Sequence, residues 1–229
     1  MKIKGLIFLF LLFNTRSIWG QNTVQLFITP VFGKQAIVLE SNSYLLTFND
    51  TLQFNTIRFY ISAIELLKDK KSVWKEKNSF HLIDAEKPES EKISLQTANN
   101  PDYNQIRFTF GIDSCTNVSG ALGGDLDPTK GMYWTWDNGY INARIEGKSK
   151  LCKSRNNEFQ FHIGGYRKAV NTSRIITLPV LSSGEINVQL DLKEVFTHIN
   201  LAKFNLIMSA GKEGALFSDW LARGIKLKI

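Results

Sequence analysis

The segment IRFYISAIELL, residues 57–67, decides the fold class, because its β-branched and aromatic residues are typical of a strand. Further segments share this composition: 24–28, 44–48, 106–110, 140–146, 159–163, 175–180 and 186–190. Only residues 192–199 and 215–223 suggest short helices, the second ended by Gly224. The sequence therefore predicts a mainly β, antiparallel β-sandwich-like single domain with long loops and one or two short helices.

The N-terminal segment is typical of an export signal. Lys2 and Lys4 precede an apolar run, residues 5–13, that is too short to span a bilayer. We therefore expect residues 1–20 to form a signal peptide cleaved near Gly20/Gln21. This cleavage would leave residues 21–229 as a periplasmic or exported domain with no transmembrane segment.

The charge of the chain gives little reason to expect a nucleic-acid partner. The signal peptide carries three basic residues, so its removal lowers the formal charge from +7 to +4. The remaining lysines are scattered, apart from a group within residues 68–77 that surrounds a predicted turn. No aromatic ladder or groove-reading helix accompanies them, and we expect a solvated hairpin tip.

Two cysteines, Cys115 and Cys152, lie after the signal peptide. An even number of cysteines in an exported chain favours a disulfide, so we expect these two to pair. The alternative, a pair of thiolate metal ligands, is less compatible with an oxidising compartment.

The common enzyme motifs are missing from the sequence. It has no Gly-x-Ser-x-Gly elbow, no phosphate-cradling glycine loop and no His-Glu-x-x-His, and we do not expect an enzyme. Asp125 and Asp127 could contribute to a calcium site, although the EF-hand spacing is absent.

Two tryptophans lie two residues apart in GMYWTWDNGY, residues 131–140. If this segment is extended, Met132, Trp134 and Trp136 project from one face. Such a strip either packs in a core or forms an exposed platform for a sugar or a partner, and periodicity does not choose between them.

Several short motifs carry a resemblance to a known family: GIDS (111–114), Gly120, DLDP (125–128), GMYWTW (131–136), GYI (139–141), EG (146–147), FHIGG (161–165), RFYIS (58–62) and MSAG (208–211). Together they cover nearly all of the chain after the signal peptide. They resemble the MbnP-like copper-binding proteins, a family named for the methanobactin-cassette protein MbnP.

This resemblance implies a mainly β protein of the Gram-negative periplasm or outer surface that binds copper ions. It implies ligation by histidines and by a tryptophan oxidised to kynurenine, whose aryl amine can bind a metal where an indole N–H cannot. The oxidation would be performed by a di-haem, cytochrome c peroxidase-like (MbnH-like) partner. Carried onto this chain, the ligands would be His81 and His162, with Trp134 or Trp136 as the oxidised residue.

Two functional hypotheses follow from the sequence. The first is a copper-binding protein of acquisition, storage or delivery, in which Met132 or Met208 could add a thioether contact, although packing is the commoner role of methionine. The second is a β-sandwich binding module, or surface interaction protein, that uses the aromatic strip without a metal.

Overall fold

The structure is a computed structural model, and it describes residues 22–47, 50–97, 101–136, 139–181 and 184–228. The predicted signal peptide and its cleavage site lie outside these ranges, so the domain limits stay a prediction. Within the described ranges, no helix combines the length and the apolar character needed to cross a membrane.

The described part of the chain contains fifteen strands and three α-helices. The strands are β1 (Asn22–Phe32), β2 (Gln35–Ala36), β3 (Tyr44–Thr47), β4 (Asp50–Lys68), β5 (Lys71–Lys75), β6 (Phe80–Asp84), β7 (Lys92–Thr97), β8 (Gln105–Phe110), β9 (Tyr133–Trp134), β10 (Gly139–Ser149), β11 (Glu158–Gly164), β12 (Arg174–Pro179), β13 (Glu185–Asp191), β14 (Leu206–Ile207) and β15 (Ile225–Leu227). The helices are α1 (Ser114–Val118), α2 (Leu192–Phe196) and α3 (Lys212–Gly224). Short 3₁₀ turns lie at Pro88–Glu91, Gly124–Leu126, Pro128–Lys130, Arg155–Asn157 and Lys168–Val170.

These elements confirm the predicted mainly β, sandwich-like fold. A small sheet has the order β15-β13-β1, and β1 also pairs with β7 and β2. A large sheet has the order β12-β8-β4-β10-β11-β14, with β3, β5 and β6 paired to β4 and β9 paired to β10. The two predicted helices are confirmed with slightly different limits, and α1 is an addition that the sequence did not predict.

Two strand pairs depart from the antiparallel pairing that predominates in the fold. β1 pairs in parallel with β13, and β11 pairs in parallel with β14. A parallel pair needs a long crossover connection, and both pairs join segments that are far apart in the chain. Local alternation of side chains does not indicate the direction of such a distant partner.

The main core contains apolar side chains from both sheets and from α2 and α3. Its centre is aromatic: the rings of Phe54 and Phe196 meet edge to face at 5.5 Å, and Phe161 contacts Phe217 at 4.8 Å between ring centroids. Aromatic pairs of this kind add about 0.5–1.5 kcal/mol beyond area burial. Asp191 begins α2 by accepting a hydrogen bond from the Lys193 backbone N–H at 3.0 Å.

A second, smaller core lies on the other face of the large sheet, under the glycine-rich segment of residues 111–136. Its members are Tyr60, Leu82, Ile112, Leu126, Met132, Trp134, Tyr140 and Ile141. Asp113 caps α1 at the start of this segment, and Asn117 of α1 accepts a hydrogen bond from the Tyr140 N–H at 2.8 Å. The segment is therefore an ordered cover that carries the tryptophan pair onto the sheet.

The predicted disulfide between Cys115 and Cys152 is not formed, and both thiols are free in the described structure. Cys115 lies in α1 beside the first residues of β10, whereas Cys152 lies just beyond its end at Ser149. Eleven residues of strand at about 3.3 Å each separate the two ends by about 30 Å, while a disulfide needs Cα atoms within about 7 Å. Burial, with the nearby Asp50 charge, raises the pKa of the Cys152 thiol to about 11.

Candidate metal centre

His162 lies on the outer face of the large sheet, opposite the main core. Along β11, Phe159 and Phe161 are wholly buried in the main core, so the alternating residues His162 and Gly164 face the second core. His162 is only 7% exposed. A buried imidazole on this face needs a polar partner, and Glu146 of the adjacent strand β10 supplies it.

Glu146 fixes one ring nitrogen of His162. The His162 Nε2 to Glu146 Oε1 distance is 2.6 Å, and Arg144 Nε donates to the same oxygen at 3.0 Å. Burial raises the pKa of Glu146, but the hydrogen bonds with His162 and Arg144 outweigh burial and hold this pKa at about 2. Because an ionised carboxylate only accepts hydrogen bonds, Nε2 of His162 carries the proton.

The other ring nitrogen of His162, Nδ1, has no hydrogen-bond partner among the residues that the structure describes. Metal-binding histidines characteristically donate one ring N–H to a carboxylate and present the second nitrogen to the metal. His162 and Glu146 have this arrangement. The lone pair on Nδ1 of His162 is therefore available to bind a metal.

Trp134 packs over Gly164, two residues beyond His162 on the same face of β11. β9 pairs with the start of β10, with Trp134 opposite Gly139, and this pairing lays the indole over Gly164. A Cβ atom on Gly164 would lie 2.6 Å from Cζ3 of Trp134, so the ring occupies the space above this glycine. The indole and the imidazole therefore lie on the same face of β11.

The indole N–H of Trp134 is buried and has no hydrogen-bond partner within the described part of the chain. The ring itself is only 1% exposed. Leaving a buried donor unpaired costs about 1–3 kcal/mol, so structures seldom retain one without a reason. The nitrogen of Trp134 is the orphaned polar atom of this site.

Trp136 lies outside the second core. It is 66% exposed, and its ring centroid is 6.2 Å from that of Trp134 at an interplanar angle of 36°. Met132, the third member of the predicted strip, is fully buried in the second core. The strip is therefore mostly core, and only Trp136 is open to a partner, which removes the apolar platform that the second hypothesis required.

His81 has a carboxylate partner of its own, with 2.7 Å between its Nε2 and Glu76 Oε2. It lies on β6, where His81 is opposite Ile61 on the face turned towards the main core. In register, Asp84, Arg58, Arg144 and His162 form one row across β6, β4, β10 and β11.

This row shows that the structure does not bring His81 and His162 together. Three strand spacings of about 4.8 Å separate β6 from β11 by about 14 Å. His81 is displaced a further three residues along its strand, about 10 Å, and points to the opposite face. A metal ion binds imidazole nitrogens at about 2 Å, so one ion cannot reach both.

Two glycines of the motifs EG and FHIGG lie where another backbone segment comes close to the chain near the site. A Cβ on Gly147, next to Glu146, would lie 2.0 Å from the Gln53 carbonyl oxygen. Gly165 has a φ of +128°, and a Cβ there would lie 2.4 Å from the Val170 carbonyl oxygen. These positions require glycine for packing. In the motifs EG and FHIGG, Glu146 and His162 are therefore the residues that can take part in metal binding.

Asp125 and Asp127, the residues of the predicted calcium site, use their carboxylates within the covering segment. Asp125 accepts from Lys130 Nζ at 2.6 Å and from the Leu82 N–H at 3.1 Å. Asp127 accepts from the Thr129 N–H at 2.8 Å. In the described ranges, no group of three or more His, Cys, Asp or Glu side chains could hold a metal, so any site here needs other ligand types.

Sequence reasoning did not assign Glu146 or Arg144 a role, although Glu146 was part of a recognised motif. Their alternation on β10 indicates a shared face, but only the β10–β11 register places Arg144 opposite His162. A strand-pairing prediction for these two segments is the signal that would have found the carboxylate.

The fold and the site together define a class of protein: a mainly β domain in which a covering segment packs a tryptophan onto the strand that carries a buried histidine. The family model for MbnP matches residues 21–209. Since this match covers most of the chain, the protein belongs to the MbnP family.

The structure of MbnP from Methylosinus trichosporium is similar to this fold, with a TM-score of 0.55 and 16% sequence identity. The alignment covers 76% of this chain and 77% of that chain. The search of curated proteins found no match.

Proposed function

We propose that this protein is a non-catalytic, exported copper-binding protein that acts in copper acquisition, storage or delivery. The observation that carries the proposal is the arrangement of His162: Glu146 holds one ring nitrogen, and the other has no partner among the described residues. The ring of Trp134, whose N–H is also buried without a described partner, packs over Gly164 on the same face of β11. Membership of the MbnP family supports it, since the sequence motifs of that family led to the expectation of copper.

The residues of this site fit copper. Imidazole nitrogen is a good copper ligand, and the buried environment excludes competing water. An indole N–H is only a hydrogen-bond donor, but its conversion to kynurenine would turn the same nitrogen into an aryl amine that can bind a metal. His162 and an oxidised Trp134 would then hold the ion from the same face of β11.

Trp134 is the better candidate for oxidation than Trp136, because its ring lies over Gly164 on the face of β11 that carries His162. Trp136, exposed and in tilted contact with Trp134, is the ring that a di-haem peroxidase-like partner could touch. With peroxide as the oxidant, the partner would cleave the indole C2–C3 bond and leave one oxygen on each carbon; hydrolysis would then release C2 as formate. The kynurenine side chain therefore has one oxygen more and one carbon fewer than tryptophan. We expect this change in the tryptic peptide of residues 131–144 after co-expression with the partner enzyme.

Mass spectrometry of that peptide from Trp134→Phe and Trp136→Phe variants locates the change. Oxidation should disappear in Trp134→Phe and persist at Trp134 in Trp136→Phe. Oxidation found at Trp136 instead, or no oxidation in the wild type with active partner enzyme, would refute the modification.

Copper titration tests the ligand role of His162. We expect His162→Ala to abolish tight binding and Glu146→Gln to weaken it about 10–100-fold, because Glu146 orients the imidazole. Affinity is measured by competition with a chromophoric copper chelator. The matched control is His198→Ala, since His198 is exposed and stacks on Trp220, 5.7 Å between ring centroids.

A His81→Ala variant tests the prediction that His81 is a ligand. Because His81 and His162 lie on opposite faces, we expect His81→Ala to retain the binding at His162. Equal losses in the two variants would show that the copper site combines both histidines. Unchanged affinity in His162→Ala would overturn the proposed function.

A further inference from the structure

We propose that Met208 is a thioether ligand of the copper ion bound at His162. This inference rests on the proposed function and extends its ligand set to a residue of the C-terminal part of the chain. The first observation is the parallel pairing of β14 with β11, in which Leu206 is opposite Gln160 and Ile207 is opposite Phe161. The next residues along the two strands are Met208 and His162.

The chain continues beside β11 after the last paired residue. A Cβ on Gly165 would lie 3.1 Å from the Cβ of Ala210, so residue 210 is still alongside β11. On the other side, the Gln160 N–H donates to the Asn205 carbonyl at 2.9 Å. Met208 is therefore enclosed between two fixed points and lies beside His162.

The alternation of side chains places Met208 on the face of His162. Ile207 is buried in the main core together with Phe161, whereas Leu206 is 58% exposed on the opposite side. Residues at the same level of a parallel pair point to the same face, and Met208, two residues after Leu206, shares the face of His162. Trp134 lies on this face as well, over Gly164.

The position of Met208 suits a soft ligand. It is partly buried, next to an imidazole with an unpaired nitrogen, and its thioether stays neutral at every pH. Thioether sulfur favours Cu(I) over harder cations, while imidazole accepts both oxidation states of copper. With His81 on the far face, Met208 is the soft donor that the β11–β14 register brings to an ion at His162.

The test compares Met208→Leu with Met132→Leu in the mature chain, loaded with Cu(I) alone. Both substitutions conserve volume, so both variants should fold, which thermal unfolding checks. Met132 is the matched control, because it is fully buried in the second core. We expect Met208→Leu to lower Cu(I) affinity at least about tenfold, with a smaller change for Cu(II), and Met132→Leu to match the wild type.

X-ray absorption spectroscopy of the Cu(I)-loaded proteins supplies a readout that packing alone would not change. We expect copper–sulfur scattering in the wild type and in Met132→Leu, and its loss in Met208→Leu. Scattering that is absent from the wild type, or that survives in Met208→Leu, overturns the thioether ligand. If His162→Ala loses copper while Met208→Leu does not, this inference fails and the proposed function stands; if His162→Ala retains copper, the proposed function fails.

Discussion

Replacing Trp134 with alanine is expected to lower the free energy of unfolding by about 3–5 kcal/mol, whereas Trp136→Ala should cost about 1 kcal/mol or less. The two residues are two positions apart and their rings are in tilted contact, but Trp134 is 1% exposed and Trp136 is 66% exposed. Removing the buried ring leaves a cavity between the covering segment and the sheet. Urea denaturation of the two variants in copper-free buffer measures the difference.

Trp136→Ala serves as the internal control, because each variant loses one indole ring and both lose the contact between the two rings. Similar losses in the two variants would mean that the ring of Trp134 is not a core element. The second core would then lack the anchor that holds residues 111–136 on the sheet.

Gly164→Ala is expected to displace the indole from the site. The new Cβ would lie 2.6 Å from Trp134 Cζ3 and 2.7 Å from the Tyr140 carbonyl oxygen, and one of the two neighbours is backbone. Overpacking of this kind costs about 1–3 kcal/mol or more. We expect this loss of stability together with an altered near-ultraviolet circular dichroism of tryptophan and weaker copper binding.

Gly123→Ala is the matched control for this substitution. Gly123 lies in the covering segment with a φ of −95°, and a Cβ there meets no atom within 4 Å. Its replacement should be neutral or stabilise the protein by about 0.4–1 kcal/mol, by restricting the unfolded chain. If Gly164→Ala behaved like Gly123→Ala, the indole would not lie over Gly164.

Local sequence pattern predicted much of the fold. The β-branched and aromatic residues of 57–67 and 159–163 correctly indicated strands β4 and β11. Gly224 correctly marked the end of helix α3. Such signals depend only on residues that are close in the sequence. They can therefore be read without knowledge of any tertiary contact.

Pairing between distant segments could not be predicted in this way. The disulfide expectation rested on cysteine count and compartment, and it is wrong because β10 places Cys115 and Cys152 at opposite ends of a long strand. His81 and His162 were assigned to one site by the resemblance to the copper-binding family. Each histidine lies on a strand as expected. In the paired strands, however, His81 is on the face towards the main core and His162 is on the opposite face.

The sequence by itself determined that the chain is mainly β. It also determined that the tryptophans of residues 131–136 are either core or binding residues, and that His162 lies in one of the motifs that resemble the copper-binding family. Tertiary structure alone decided that Trp134 is buried while Trp136 is exposed, and that Glu146 and Met208 are the neighbours of His162. The reason is physical. Side-chain alternation is a property of one strand, whereas a binding site depends on the register between strands, which the packing of two cores fixes only when the whole chain has folded.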